Sequence, residues 1–190
     1  MKVLIGCERS GNVRQAFRNL GHDAWSCDLE PCDDGSPYHL QDDVLKVITS
    51  ERWDLAILHP PCTYLAVSGN RWLVNNPERW RLQLDASLFV WELWNSNIPK
   101  IALENPVGVL SGRIGKPTQI VQPWQFGHGE TKATCLWLKG LPPLTPTNVV
   151  EGREQRLHKL PPSEDRARIR SITYPGIAKA MAEQWGGVVH

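Results

Sequence analysis

Trp53-Asp54-Leu55-Ala56-Ile57-Leu58-His59-Pro60-Pro61-Cys62-Thr63-Tyr64-Leu65-Ala66-Val67-Ser68-Gly69 is the stretch whose reading settles the fold. An apolar run ends in a Pro-Pro step, a cysteine and a loop. A short continuous apolar run of this kind fits a strand buried on both faces, as in a parallel sheet. Two prolines fix the backbone just past its end. The segment therefore reads as a strand that delivers Cys62 to the carboxyl edge of the sheet, where open α/β sheets hold their ligands. A thiol presented there is a candidate nucleophile. The alternative is a structural cysteine, since cysteine is among the residues most often buried.

Upstream, Lys2–Gly6 is a short apolar strand. It runs into the loop Gly6-Cys7-Glu8-Arg9-Ser10-Gly11. Asn12 can cap a helix in which Val13, Ala16, Phe17 and Leu20 repeat with helical spacing, and Gly21 stops it. Asp23–Leu29 is a second strand, carrying Cys27-Asp28. This strand, glycine loop, helix, strand and acid unit is the opening of a Rossmann-like fold, with Asp28 placed to accept ribose hydroxyls. Asp42-Asp43-Val44-Leu45 begins a short segment at the next sheet edge. No Gly-Lys-Ser/Thr follows the loop, which argues against a P-loop.

Downstream, Asn76-Pro77-Glu78 is a helix start, with a cap, a proline at the first position and an acid in the first turn. That helix runs to about Trp94. Trp80, Leu84, Leu88 and Trp91 mark one face, widened by Phe89, Val90, Leu93 and Trp94, and the stripe is expected to pack into the core rather than to form a cofactor box. Lys100–Leu103 is a further strand ending in Glu104-Asn105-Pro106. Glu104 is either a site carboxylate or a solvated strand-end acid. Residues 107–124 read as loop-rich, with no strand named in them, Thr134–Lys139 as a strand and Pro175–Trp185 as a closing helix. Between the last two, Arg153, Arg156, Lys159, Arg166, Arg168 and Arg170 form a basic cluster. It is a candidate phosphate-binding surface or, with its interspersed acids, a solvated face.

The 190 residues suffice for one α/β domain, and the net charge of +1 advertises no global field for nucleic acid, so any such partner needs a local patch. The nine tryptophans serve the core or stack on bases. Five cysteines, an odd number with no Cys-x-x-Cys pair, indicate free thiols in a reducing cytoplasm. Neither they nor the histidines show metal-ligand spacing, so no metal is expected. No apolar run is long enough for a signal peptide or a membrane span, and no membrane partner is expected.

The order of these features resembles the DNA (cytosine-5)-methyltransferase family. The resemblance rests on Pro61-Cys62 with Gly69 seven residues on, followed by Glu104-Asn105. It implies a Rossmann-like S-adenosylmethionine-dependent methyltransferase fold, a mostly parallel sheet with helices on both faces. Cys62 then looks like the nucleophile that adds to C6 of cytosine. Glu104 looks like the carboxyl that meets N3 and the exocyclic amine, a task that a raised pKa would suit. Lys132, after Phe126-Gly127, matches the first arginine of the family's Gln-x-Arg-x-Arg motif, whereas the second falls on Thr134. Gly6, Cys7, Glu8, Ser10 and Gly11 would wrap the methionine end of the cofactor. Asp28 would hold its ribose, and Asp43 the adenine amine. Pro60 and Leu82 match apolar positions near the cofactor, and Arg79 lies in a run resembling the segment before the family's middle helix. The glycine loop lacks the family's opening aromatic, and Tyr174-Pro175-Gly176 lacks the asparagine of its last motif.

Family members that read duplex DNA carry a separate target-recognition domain. Here only 30 residues lie between Leu144 and Pro175. A single catalytic domain over 1–190 is therefore expected, of the small kind that bacteriophages encode, working in the bacterial host cytoplasm. The partners implied are S-adenosylmethionine and DNA, with Arg79 and the six-cation cluster as the nucleic-acid surface. A cytosine nucleotide as substrate, another one-carbon donor, or a catalytically silent relative that binds DNA or protein remain the alternatives.

Overall fold

The computed structural model describes residues 1–187. Its centre is one seven-stranded sheet, formed by β1 (Lys2–Gly6), β2 (Asp23–Asp28), β3 (His39–Gln41), β4 (Leu55–Leu58), β5 (Lys100–Pro106), β6 (Gln119–Val121) and β7 (Thr134–Lys139). The strand order is β3-β2-β1-β4-β5-β7-β6. The β3-β2-β1-β4-β5 part is parallel, and β7 enters antiparallel between β5 and β6. The α/β, mostly parallel architecture expected from the sequence is the observed one. The strand order reverses between β1 and β4, which makes their carboxyl ends the topological switch point.

Both faces of the sheet are covered, which is why β4 is buried at every residue. Alternate residues serve opposite cores. Val3, Ile5, Leu55 and Ile57 pack with Val13 and Phe17 of α1 (Asn12–Asn19) and with Ile177 and Met181 of α5 (Pro175–Met181). Leu4, Ala56 and Leu58 pack with Val44, Val47 and Ile48 of α2 (Val44–Ser50) and with Leu93 of α3 (Pro77–Trp94). A third cluster joins Leu65, Val90, Leu103, Cys135 and Trp137. None of the described helices is long and apolar enough to cross a membrane.

Four sequence expectations are corrected. Asn12 does not cap α1. Gly11 occupies the cap position with φ 72°, and the buried Glu8 carboxylate accepts from Val13 N at 2.9 Å and Arg14 N at 3.4 Å. Asp42–Leu45 is not an edge strand. The edge is β3, and Asp43 caps α2 by accepting from Leu45 N at 2.9 Å. Residues 107–124 contain β6, held against β7.

The fourth correction concerns α3. Its Trp80, Leu84, Leu88 and Trp91 face solvent, while Gln83, Ser87, Val90 and Leu93 are buried. The inner face is polar where it meets the loop after Cys62, because Gln83 Nε2 donates to Tyr64 O at 2.9 Å. Ser87 Oγ satisfies itself on Gln83 O at 2.7 Å. Burial of Val90 and Leu93 in the core and the Gln83 bond to the loop agree on this rotation of the helix.

Candidate active site

The parallel register of β4 and β5 pairs Leu58 with Leu103. The residues that follow, His59 just past β4 and Glu104 within β5, therefore stand side by side. His59 Nδ1 lies 2.9 Å from Glu104 Oε2, and both side chains are only 10% exposed. Thr173 Oγ1 donates to the same oxygen at 3.4 Å. Burial alone would raise the Glu104 pKa, but the His59 charge and hydrogen bond, with Lys132 behind them, outweigh it and hold the carboxyl well below the usual range, at about 2. The raised pKa expected for Glu104 is thus not found. Burial pushes His59 down, yet Glu104 reverses this and the imidazole pKa is raised. The pair therefore favours the ionised arrangement, carboxylate against imidazolium. His59 Nε2 is buried without a partner, and the ring lines a cleft with Cys7, Glu8, Ser10, Arg168 and Thr173.

The Pro-Pro step is tied to the sheet at both sides. His59 N donates to Gly6 O at 2.9 Å, and the buried Asn105 Nδ2 donates to Pro60 O at 2.8 Å. Asn105 thus positions the turn that carries the cysteine. Cys62 itself is exposed. Its carbonyl accepts from Leu65 N and Ala66 N at 3.0 Å, closing a tight turn. The protein packed around the thiol raises its pKa, and Glu104 adds to that rise. Arg170 and Lys132 act in the opposite direction. Lys132 donates to Ile172 O at 3.2 Å and exerts its charge on Cys62, Glu104 and His59 together. Cys62, Glu104 and Lys132, far apart in the chain, therefore share one electrostatic environment, whereas the buried Thr134 bonds back to Lys132 O.

The glycine loop lies across the cleft from His59. A Cβ on Gly6 would stand 2.7 Å from a methyl of Val44 and 2.8 Å from one of Leu58, so any larger residue there must push these core side chains aside. Cys7 follows with φ 59°, a left-handed conformation rare for a residue with a side chain. Its thiol pKa is raised by burial and then by the charges of Asp28, Cys27 and Asp43, which gather round it. Asp28 accepts from Glu30 N at 3.0 Å, and Asp43 is engaged by its own helix. Glu8 is committed to the start of α1, with Ser10 Oγ donating to it at 3.2 Å, so its side chain shapes the loop instead of projecting from it. Pro60 is buried beneath the Cys62 turn, and Leu82 is half-buried on α3, outside the residues lining the cleft.

Half of the basic cluster is engaged within the protein. Arg153 stacks on Trp124 at 3.9 Å. Arg156 makes two 3.1 Å bonds to Glu130, which also accepts from Tyr174 Oη at 2.6 Å. Arg168, on α4 (Arg166–Ser171), reaches Asp33 at 3.6 Å and Asp165 at 3.2 Å, spanning the mouth of the cleft. Glu130 and Asp33, remote in sequence but near in space, absorb Arg156 and Arg168, while Arg153 is held by the Trp124 ring. Among the described residues, Lys159, Arg166 and Arg170 make no ion pair, and of these Arg170 acts on Cys62. Arg79 stacks on Tyr64 at 5.1 Å and donates to Thr63 O at 3.4 Å, bracing the loop after Cys62. Among the described residues, no group of three or more His, Cys, Asp or Glu could hold a metal ion.

No family model matches the chain. No curated protein matches it either. Among solved structures, it is similar to the crystal structure of an Escherichia coli prophage protein described as a DNA modification methyltransferase. The TM-score is 0.46 at 16% identity, over 72% of this chain and 45% of the other. The chain thus spans less than half the length of that protein.

Proposed function

We propose that this chain is an S-adenosylmethionine-dependent methyltransferase that modifies C5 of cytosine in DNA, with Cys62 as the nucleophile. The observation that carries the reading is the convergence of Cys62, Glu104 and Lys132 at the ends of β4, β5 and the approach to β7, beside the switch-point cleft. What supports a cofactor here is the chemistry around the cleft, which must open to admit it. Cys7 lines it, Asp28 stands at the end of β2 where ribose hydroxyls can be accepted, and the buried His59 Nε2, without a partner among the described residues, offers one further polar contact. S-adenosylmethionine bound there supplies an electrophilic methyl group.

The chain's own residues do the rest. Cytosine C5 is a poor nucleophile until a thiolate adds to C6. Arg170 and Lys132 favour ionisation of Cys62 for that addition. The ring nitrogen N3 takes up a proton as C6 is attacked. Glu104 holds the edge of the base, and the proton comes from the His59–Glu104 pair, with His59 as the reservoir. After methyl transfer, loss of the C5 proton restores the ring and expels the Cys62 thiolate.

The dispersal of the basic cluster favours a small nucleic-acid footprint. Specific duplex reading needs several side chains in the major groove, and phosphate tracking needs free cations. With Arg153, Arg156 and Arg168 engaged internally, Lys159, Arg166 and Arg170 remain for phosphates. The experiment is methyl transfer from labelled S-adenosylmethionine to random-sequence duplex, single-stranded DNA and free deoxycytidine nucleotides in parallel. The expected result is C5-methylcytosine in DNA, with little sequence preference, from the wild type and none from Cys62→Ser. Methylation of the free nucleotide above both DNAs moves the enzyme to nucleotide modification. Absence of cofactor binding and of transfer contradicts the proposal.

A further inference from the structure

The outward face of α3 is chemically out of place. Trp80, Leu84, Leu88 and Trp91 are 53, 49, 51 and 54% exposed, aligned along one side of an 18-residue helix. Trp72 and Val74, in the segment leading into the helix, are exposed as well. By usual side-chain sizes the four stripe residues alone present roughly 400 Å² of surface. That is as large as the biggest apolar patch on a typical monomer, which is often functional. With the leading segment it approaches the roughly 800 Å² that each partner contributes to a standard interface.

We propose that this stripe is a homodimer interface, in which α3 of one copy packs antiparallel on α3 of a second. The order Trp, Leu, Leu, Trp reads the same in both directions, and its midpoint falls at residues 85–86. A two-fold axis there sets Trp80 against Trp91 of the other copy and Leu84 against Leu88, the self-complementary pattern that an isologous contact requires. Charge agrees with this register. Arg81, Asp85 and Glu92 lie on one flank of the stripe. The same axis brings Arg81 level with Glu92 of the second copy, within about one 1.5 Å helical rise, as in the flanking pairs of antiparallel helices. The two Asp85 side chains approach each other at the axis, and each is screened by Arg81 of its own helix at 3.0 Å. A nucleic acid is a poor occupant, because the cation on this flank, Arg81, is already engaged by Glu78 and Asp85.

The test is sedimentation velocity on the purified full chain over a range of concentrations, with circular dichroism and melting as controls for folding. The wild type is expected to sediment as a dimer. Leu84→Glu with Leu88→Glu should give a folded monomer, since both side chains are half-exposed and Glu is a good helix former. Glu92→Arg should weaken the dimer, and adding Arg81→Glu should restore it. A wild-type monomer at the highest attainable concentration overturns the proposal. So does a dimer that the double leucine variant leaves intact. A dimer indifferent to the charge exchange overturns the antiparallel register.

Discussion

Replacing His59 with alanine tests the buried pair at the centre of the site. The two side chains are each 10% exposed and 2.9 Å apart. The variant leaves Glu104 with Thr173 at 3.4 Å and the Lys132 charge. Removing one partner of a buried ion pair costs about 3–5 kcal/mol. Because Lys132 remains, the lower end applies, about 3 kcal/mol, or about 6–12 °C in melting temperature for a domain of this size. The pH dependence carries the sign. Glu104 has a depressed folded pKa, so its contribution is present above the unfolded value of about 4.3 and is lost as pH falls towards its folded value. His59 has a raised folded pKa, so its contribution is complete below about 6.5 and is lost as pH rises through the folded value. The gap between wild type and variant should therefore be widest between about pH 4.5 and 6.5 and narrow at alkaline pH. Urea or thermal denaturation of both proteins at several pH values measures it. A gap that is flat from acid to alkaline, or that widens with pH, refutes the assignment of the proton to His59.

Other perturbations follow from the same geometry. A Cβ on Gly176 would stand 1.9 Å from Phe126 O, so Gly176→Ala should destabilise by at least about 1–3 kcal/mol, read as a lower melting temperature. Asn105→Ala leaves the Pro60 carbonyl without its buried donor, costing about 1–3 kcal/mol in urea unfolding and lowering turnover by loosening the Cys62 turn. Lys132→Met removes a charge that lowers the Cys62 pKa, so the midpoint of the pH profile for alkylation of Cys62 should move to higher pH.

The part of the fold legible in the sequence was the part set by period and punctuation. The apolar runs at Lys2–Gly6 and Leu55–Leu58, the glycine loop and the Asn76-Pro77 helix start all lie where local chemistry places them. What escaped depends on neighbours in space. Asp43 reads equally as a strand residue or a helix cap until β3 is seen to end at Gln41. The rotation of α3 places Gln83 on the Tyr64 carbonyl and Val90 and Leu93 in the core, which leaves Trp80 and Trp91 outward. His59 sits inside the motif that drew attention to Cys62. Its partnership with Glu104 follows from a register in which both residues come directly after the paired Leu58 and Leu103, a relation readable only once β4 and β5 are known to be adjacent. The basic cluster looked continuous because Asp33 and Glu130, which absorb Arg168 and Arg156, are remote in sequence.

The most direct measurement is covalent trapping. Wild-type protein is incubated with S-adenosylmethionine and an oligonucleotide whose only cytosine is 5-fluorocytosine, and the product is analysed by intact mass and peptide mapping. Fluorine at C5 cannot leave as a proton, so the chain that attacks C6 stays attached. The account predicts one adduct, dependent on the cofactor, mapped to Cys62 and absent from Cys62→Ser. An adduct mapped to Cys7, Cys27, Cys32 or Cys135, or no adduct from protein that binds both cofactor and DNA, contradicts it.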